Sequence, residues 1–93
     1  MYERILSRMR RLVLEQQYIV TLHADEEMNA DDLTVYDVER AILTGNILER
    51  QRDTASSEYK YRLRGRALDG TPMGIVAKIS ITNKLVFITV YSL

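Results

Sequence analysis

Residues 59–66 read Tyr-Lys-Tyr-Arg-Leu-Arg-Gly-Arg, with a cation at every second position. In a β-strand successive side chains point to opposite faces. Lys60, Arg62, Arg64 and Arg66 therefore share one face, and Tyr59, Tyr61, Leu63 and Gly65 the other. Neighbouring cations on such a face stand about 7 Å apart and repel. Phosphates offset that repulsion, because a guanidinium grips them bidentately. The competing reading is a plain solvated face, kept from aggregating by its charge. An acidic partner, or the chain's own acidic segment, is a third source of counter-charge. Arg50 and Arg52 share a face of the preceding strand with Leu48. If the two strands pair, all six cations gather on one side. Lys78 belongs to the strand after, in a register that the sequence leaves open.

Two residues bring proton chemistry. His23 is the single histidine, and histidine suits acid–base work near neutral pH. At the end of a strand and the start of a helix it equally well caps the helix through a ring nitrogen. Tyr91 closes the run Ile88-Thr89-Val90-Tyr91. It can stack on a base or help move a proton; ordinary amphipathic packing is the alternative. One histidine with one carboxylate four residues on, Glu27, does not make a metal site. The chain has no Ser-His-Asp arrangement, glycine-rich phosphate loop or zinc motif. No cofactor is called for.

The elements that hold these residues read as follows. Residues 2–16 form an amphipathic helix, with Ile5, Leu6, Met9, Leu12 and Val13 on one stripe. A short strand covers 18–23, and a helix runs from Ala24 to about Ala30 with Met28 as its apolar contact. Thr34 caps the next helix, and Asp37 three residues on completes a short-armed capping box. Gly45 is expected in the left-handed conformation at its end. The period then changes to two, giving strands at 47–52, 59–66, 73–80 and 85–91. They are joined by the polar loop 53–57, the turn Asp69-Gly70-Thr71-Pro72 and the connection Thr82-Asn83-Lys84. Short connections make neighbours antiparallel. The fold class is α+β: N-terminal helices on an antiparallel sheet of about four to five strands.

The 93 residues allow one domain, 1–93, and the formal net charge is zero. The distribution is uneven. Residues 24–39 hold seven acidic side chains and no Lys or Arg, whereas 46–66 hold six basic and three acidic ones. The N-terminal helix adds Arg4, Arg8, Arg10 and Arg11. Local fields of this kind matter more than the sum. There is no cysteine, which removes disulfides and thiolate chemistry. Apolar runs are too short for a bilayer span, and no signal pattern opens the chain, so a cytoplasmic protein is expected.

Taken together, His23-Ala24 with Met28, Asp37-Val38, Gly45 with Ile47, Gly65, Asp69-Gly70 and Thr89-Val90-Tyr91 resemble the pattern of bacterial domain-of-unknown-function family 4258. The likeness covers roughly residues 18–91. That family is similar to RelE-like and MqsR-like toxins, and some members are encoded beside a zinc-finger antitoxin. The resemblance implies a metal-independent messenger-RNA endonuclease with RNA on a basic sheet face. Family members commonly carry arginine where this chain has Asp25-Glu26-Glu27.

On that reading Arg62 and Arg64 supply charge to the developing phosphorane. Lys60, Arg50, Arg52, Arg66 and Lys78 hold the RNA, and His23 or Tyr91 transfers protons. The expected partners are RNA, free or on the ribosome, a zinc-finger or helix-turn-helix antitoxin, and a second copy of the chain. No membrane is expected. Two other classes compete. A non-catalytic interaction module would use the apolar stripe of the first helix or an exposed sheet edge. A nucleic-acid binder without chemistry would show salt-dependent binding and no product.

Overall fold

The computed structural model describes residues 1–55 and 58–93. Ser56 and Ser57, in the polar loop read from the sequence, lie outside the described residues. Among the described residues, three helices and five strands follow in the order α1 (Glu3–Leu14), β1 (Tyr18–Val20), α2 (Leu22–Ala30), α3 (Val35–Thr44), β2 (Asn46–Arg52), β3 (Tyr59–Arg66), β4 (Pro72–Ile79) and β5 (Leu85–Ser92). The fold is α+β, with the helices packed against the sheet. No helix among the described residues is long and apolar enough to cross a membrane.

The sheet order is β1-β5-β4-β3-β2. β2 to β5 form the antiparallel meander that their short connections require. β1 differs: it pairs parallel with β5, through Tyr18–Leu85 and Val20–Phe87. The rule that short links give antiparallel neighbours does not reach this pair, because most of the chain lies between the two strands.

One face of the sheet meets the helices. Tyr61, Leu63, Met73, Ile75, Ala77, Leu85, Phe87 and Val90 are buried there. Met9, Leu12 and Val13 of α1 close over them, together with Val38, Ala41 and Ile42 of α3. The apolar stripe of α1 is thus consumed by the protein's own core, and the interaction module loses that surface.

β1 is only three residues long, so it covers part of β5. Carboxylates of α2 take the remaining edge: Glu27 accepts the Val90 N–H at 3.1 Å, and Asp31 accepts the Ser92 N–H at 3.0 Å. A side chain here does what a strand backbone would otherwise do.

α3 is punctuated as expected at its start. The Thr34 hydroxyl accepts from Asp37 N, while Asp37 accepts from Thr34 N at 2.8 Å. Its end differs. Gly45 has φ −94°, which is not left-handed. The glycine is needed for proximity instead. A Cβ on Gly45 would lie 2.3 Å from Arg64 O, and one on Gly65 would lie 2.3 Å from Ala41 O. α3 therefore rests its backbone on β3, with no side chain between them. Arg10 of α1 completes the helix end, donating to Ile42 O at 3.1 Å and Gly45 O at 2.9 Å.

Candidate nucleic-acid interface

The face of the sheet away from the helices carries the cations. Lys60, Arg62, Arg64 and Arg66 point to it from β3, opposite the buried Tyr61, Leu63 and Gly65. Lys78 joins them from β4, across from Val86 of β5. Its ammonium meets Glu58 at 3.4 Å.

Two irregularities decide what stands beside this row. In β2 the register jumps between Ile47 and Glu49, so Leu48 is an extra residue. Before it, Ile47 lies opposite Leu63 on the helix side; after it, Glu49 lies opposite Arg62 and Arg50 opposite Tyr61. A bulge resets the alternation in this way. Glu49 and Gln51 are therefore on the cationic face, and Arg50 and Arg52 on the other. The sequence expectation that all six cations share one side is corrected: strict alternation from Ile47 would need a strand without the extra residue. Arg50 and Arg52 instead flank the Tyr59 ring, with guanidinium carbons 4.3 and 5.6 Å from its centroid.

The second jump lies across from Val76 and Ala77, where Ile88 is the extra residue of β5. Phe87 faces the core opposite Ala77, yet Thr89 pairs with Val76 and Tyr91 with Gly74 on the cationic side. Without this bulge Tyr91 would follow Phe87 into the core. Gly74 then makes room for the phenol, which occupies the space above it: a Cβ there would come 2.2 Å from the ring.

The result is a compact polar group. Arg62 Nε donates to Glu49 Oε1 at 2.9 Å, and Gln51 Nε2 donates to the same oxygen at 2.7 Å. Arg62, and after it Gln51, hold the Glu49 carboxyl below its ordinary range. Glu49 in turn raises the Arg62 guanidinium above its already high value, with the Tyr91 hydroxyl contributing from the other side. Arg62 is thus flanked by a carboxylate and a phenol. It remains 38% exposed, open to an incoming anion. Next along the strand, Arg64 is exposed and opposite Asn46 and Gly74. With Arg66, Asn46, Leu48 and Pro72 it lines a depression of about 280 Å³. Arg66 donates to Gly70 O at 2.9 Å.

His23 stands elsewhere. It is the second residue of α2, not the last of a strand, and Thr21 caps that helix through its hydroxyl. The His23 ring nitrogen lies 3.3 Å from Glu27 Oε1, the oxygen that accepts from Val90 N. This is the edge of β5, and β3 is two strands away, about 10 Å at normal strand spacing. Tyr91 stands on the cationic face with the arginines, and His23 stands at the β5 edge beside Glu27.

Four of the seven acidic side chains of segment 24–39 are engaged away from the cationic face. Glu27 and Asp31 serve the β5 edge, Asp37 the α3 start, and Glu39 accepts the Tyr18 hydroxyl at 2.5 Å. Desolvation first, and then Glu39, push the Tyr18 phenol up to about 12. No group of three or more metal-ligating side chains occurs among the described residues.

Glu49, Gln51 and Gly74 are the members of this group that sequence reasoning missed. The glycine within an otherwise apolar strand was the available signal, since such a residue marks a close approach. The bulges left no comparable mark.

These features define a class: a small α+β domain whose helices cover one sheet face and whose other face presents a row of cations around a carboxylate–arginine–phenol group. The chain belongs to the family described as Domain of unknown function (DUF4258), whose model matches residues 20–92. No curated protein and no solved structure matches the chain significantly. Neither comparison supports a likeness to RelE-like or MqsR-like toxins.

Proposed function

We propose that the chain is a metal-independent RNA endonuclease, the toxin of a toxin–antitoxin pair, with RNA bound on the open face of the sheet. The observation that carries this reading is Arg62, hydrogen-bonded to the Glu49 carboxylate, on the same sheet face as Tyr91 and beside the exposed Arg64.

In the proposed reaction the 2′-oxygen of the RNA bonds to the adjacent phosphorus, and the bond to the 5′-oxygen breaks. The products are a 2′,3′-cyclic phosphate and a 5′-hydroxyl. One proton leaves the attacking hydroxyl and one reaches the departing oxygen. Arg62 and Arg64 stabilise the charge that develops on the phosphorane oxygens. Tyr91 is the proton-transfer group in reach of Arg62. Glu49 is a positioning residue that fixes the guanidinium, and Lys60, Arg66 and Lys78 hold flanking phosphates. An antitoxin acidic enough to cover this face would silence it.

The test is cleavage of labelled RNA in EDTA, by the protein alone and with ribosomes. Cleavage is expected to persist in EDTA and to disappear in Arg62→Ala/Arg64→Ala. Tyr91→Phe should lose about 100-fold or more, while His23→Ala changes little. A folded parent protein that cleaves in neither setting would overturn the reading.

A further inference from the structure

The β2–β3 hairpin carries cations on both of its faces, and β2 is the edge of the sheet. Lys60, Arg62, Arg64 and Arg66 occupy the open face. Arg50 and Arg52 occupy the face on the helix side, where α1 and α3 do not cover them: both are exposed. Between them lies Tyr59, itself 41% exposed.

The geometry of this second group is specific. Arg50 sits over the Tyr59 ring at 4.3 Å, and Arg52 lies 5.6 Å from the same centroid while its Nη1 reaches the phenol oxygen at 3.5 Å. A guanidinium that uses its flat face on a ring keeps its N–H edge free. That edge is the part that binds phosphate in two-point fashion. The ring also holds two like charges in place that would otherwise splay apart. Arg50 thus keeps its N–H edge for a ligand, and Arg52 keeps the N–H groups that it does not direct to the Tyr59 phenol, both at an exposed edge and on the sheet face opposite the first row.

We infer that Arg50, Arg52 and Tyr59 form a second phosphate-contact surface, and that a single RNA strand wraps the β2 edge to reach both faces of the hairpin. This rests on the reading of the open face as an RNA surface. It adds that the RNA bends around the edge and does not lie flat on one side. An extended single strand can turn in this way; a duplex, which is stiff, cannot follow so short an edge. The favoured ligand is accordingly single-stranded RNA. The bulge at Leu48 is what divides the six cations between the two faces, so the wrapping path is built into the strand.

The experiment uses fluorescence anisotropy of a labelled single-stranded RNA that is 2′-O-methylated throughout, which blocks cleavage and leaves binding. Affinity is measured over a salt series for the parent protein, Arg50→Gln/Arg52→Gln, and Lys60→Ala/Arg64→Ala. Every phosphate that is no longer neutralised should reduce the salt slope by about 0.7 for a single strand. For two phosphates, the Arg50/Arg52 double variant should therefore have a slope shallower by about 1.4. It should also bind more weakly at low salt, with unchanged circular dichroism. The Lys60/Arg64 variant should change by a comparable amount. Full affinity and slope in the Arg50/Arg52 variant, with loss in the Lys60/Arg64 variant, overturns the wrapped path and leaves the open-face reading intact. Equal binding of a duplex of the same length also overturns it. A parent protein that binds but never cleaves an unmodified strand defeats the nuclease reading while the second surface stands. A parent protein that does not bind at low salt defeats both.

Discussion

The Tyr91 phenol lies on Gly74, in the space that any larger residue's β-carbon would claim. The two residues are partners across β4 and β5, and their packing lays the ring over β4 toward Arg62 of β3. Gly74→Ala would meet the far end of a side chain that can swing into solvent. Folding stability should stay within about 1 kcal/mol of the parent, since alanine also suits a strand interior better than glycine. RNA cleavage should fall about as far as in Tyr91→Phe. Urea unfolding and a single-turnover assay on the same preparation separate the two effects.

Glu49 and Arg62 give a second prediction. Glu49→Gln keeps the size of the side chain and removes its charge, so Arg62 loses its fixed partner. A misplaced catalytic cation costs about 10- to 100-fold in rate. The sign with pH follows from the lowered Glu49 carboxyl. A carboxyl lowered in the folded state stays charged as pH falls past its ordinary value of 4.5, and the ion pair breaks only at more acid pH. From about pH 5 to about pH 8, parent activity should therefore show no limb from Glu49. An acid limb within that range that vanishes in Glu49→Gln would contradict the assignment.

Asp37 should mark the acid stability of the fold. Its carboxylate accepts from Leu68 N at 2.9 Å and from Thr34 N at 2.8 Å, and these hydrogen bonds, Leu68 first, lower its pKa from 3.8. Its contribution is complete above that value and disappears as pH falls through the lower folded-state value. Asp37→Ala should cost about 1–2 kcal/mol near neutral pH, the range of a missing helix cap. Thermal melts taken downward from about pH 5, roughly one unit above the unperturbed carboxylate, should converge for parent and variant at the acid end.

Arg10 should behave as a structural residue although it lies in a run of arginines. It is partly buried and closes the end of α3 through Ile42 O and Gly45 O. Arg10→Ala should cost about 1.5–3 kcal/mol, as expected for charge-assisted hydrogen bonds. The neighbouring Arg11→Ala, at an exposed position, should cost little. Similar unfolding midpoints for the two variants would show that the cap carries no weight.

Much of the fold was legible because periodicity and punctuation agree. The stripe of α1, the Thr34–Asp37 box and the cation alternation of β3 each follow from local sequence. The parallel pairing of β1 was not legible, because it depends on where the last strand ends up and on no short link. The candidate site was half legible. Arg62, Arg64 and Tyr91 could be chosen by residue type. Their neighbours could not, because Leu48 and Ile88 look like ordinary strand residues and yet reverse the facing of everything after them. Gly45 was chosen for the right helix end and the wrong reason: close approach to β3 sets its identity, not its backbone angles.

The sealed margin at β5 also limits how copies of this chain can assemble. Glu27 and Asp31 occupy the β5 amides that a neighbouring sheet would need, and β1 offers only three residues on that side. The longer open margin is then β2, and a β2-to-β2 contact would be a two-fold pairing that uses the same edge of both copies. Growth through that edge would stop at a pair, and the short β1 margin offers a continuous sheet little from which to extend.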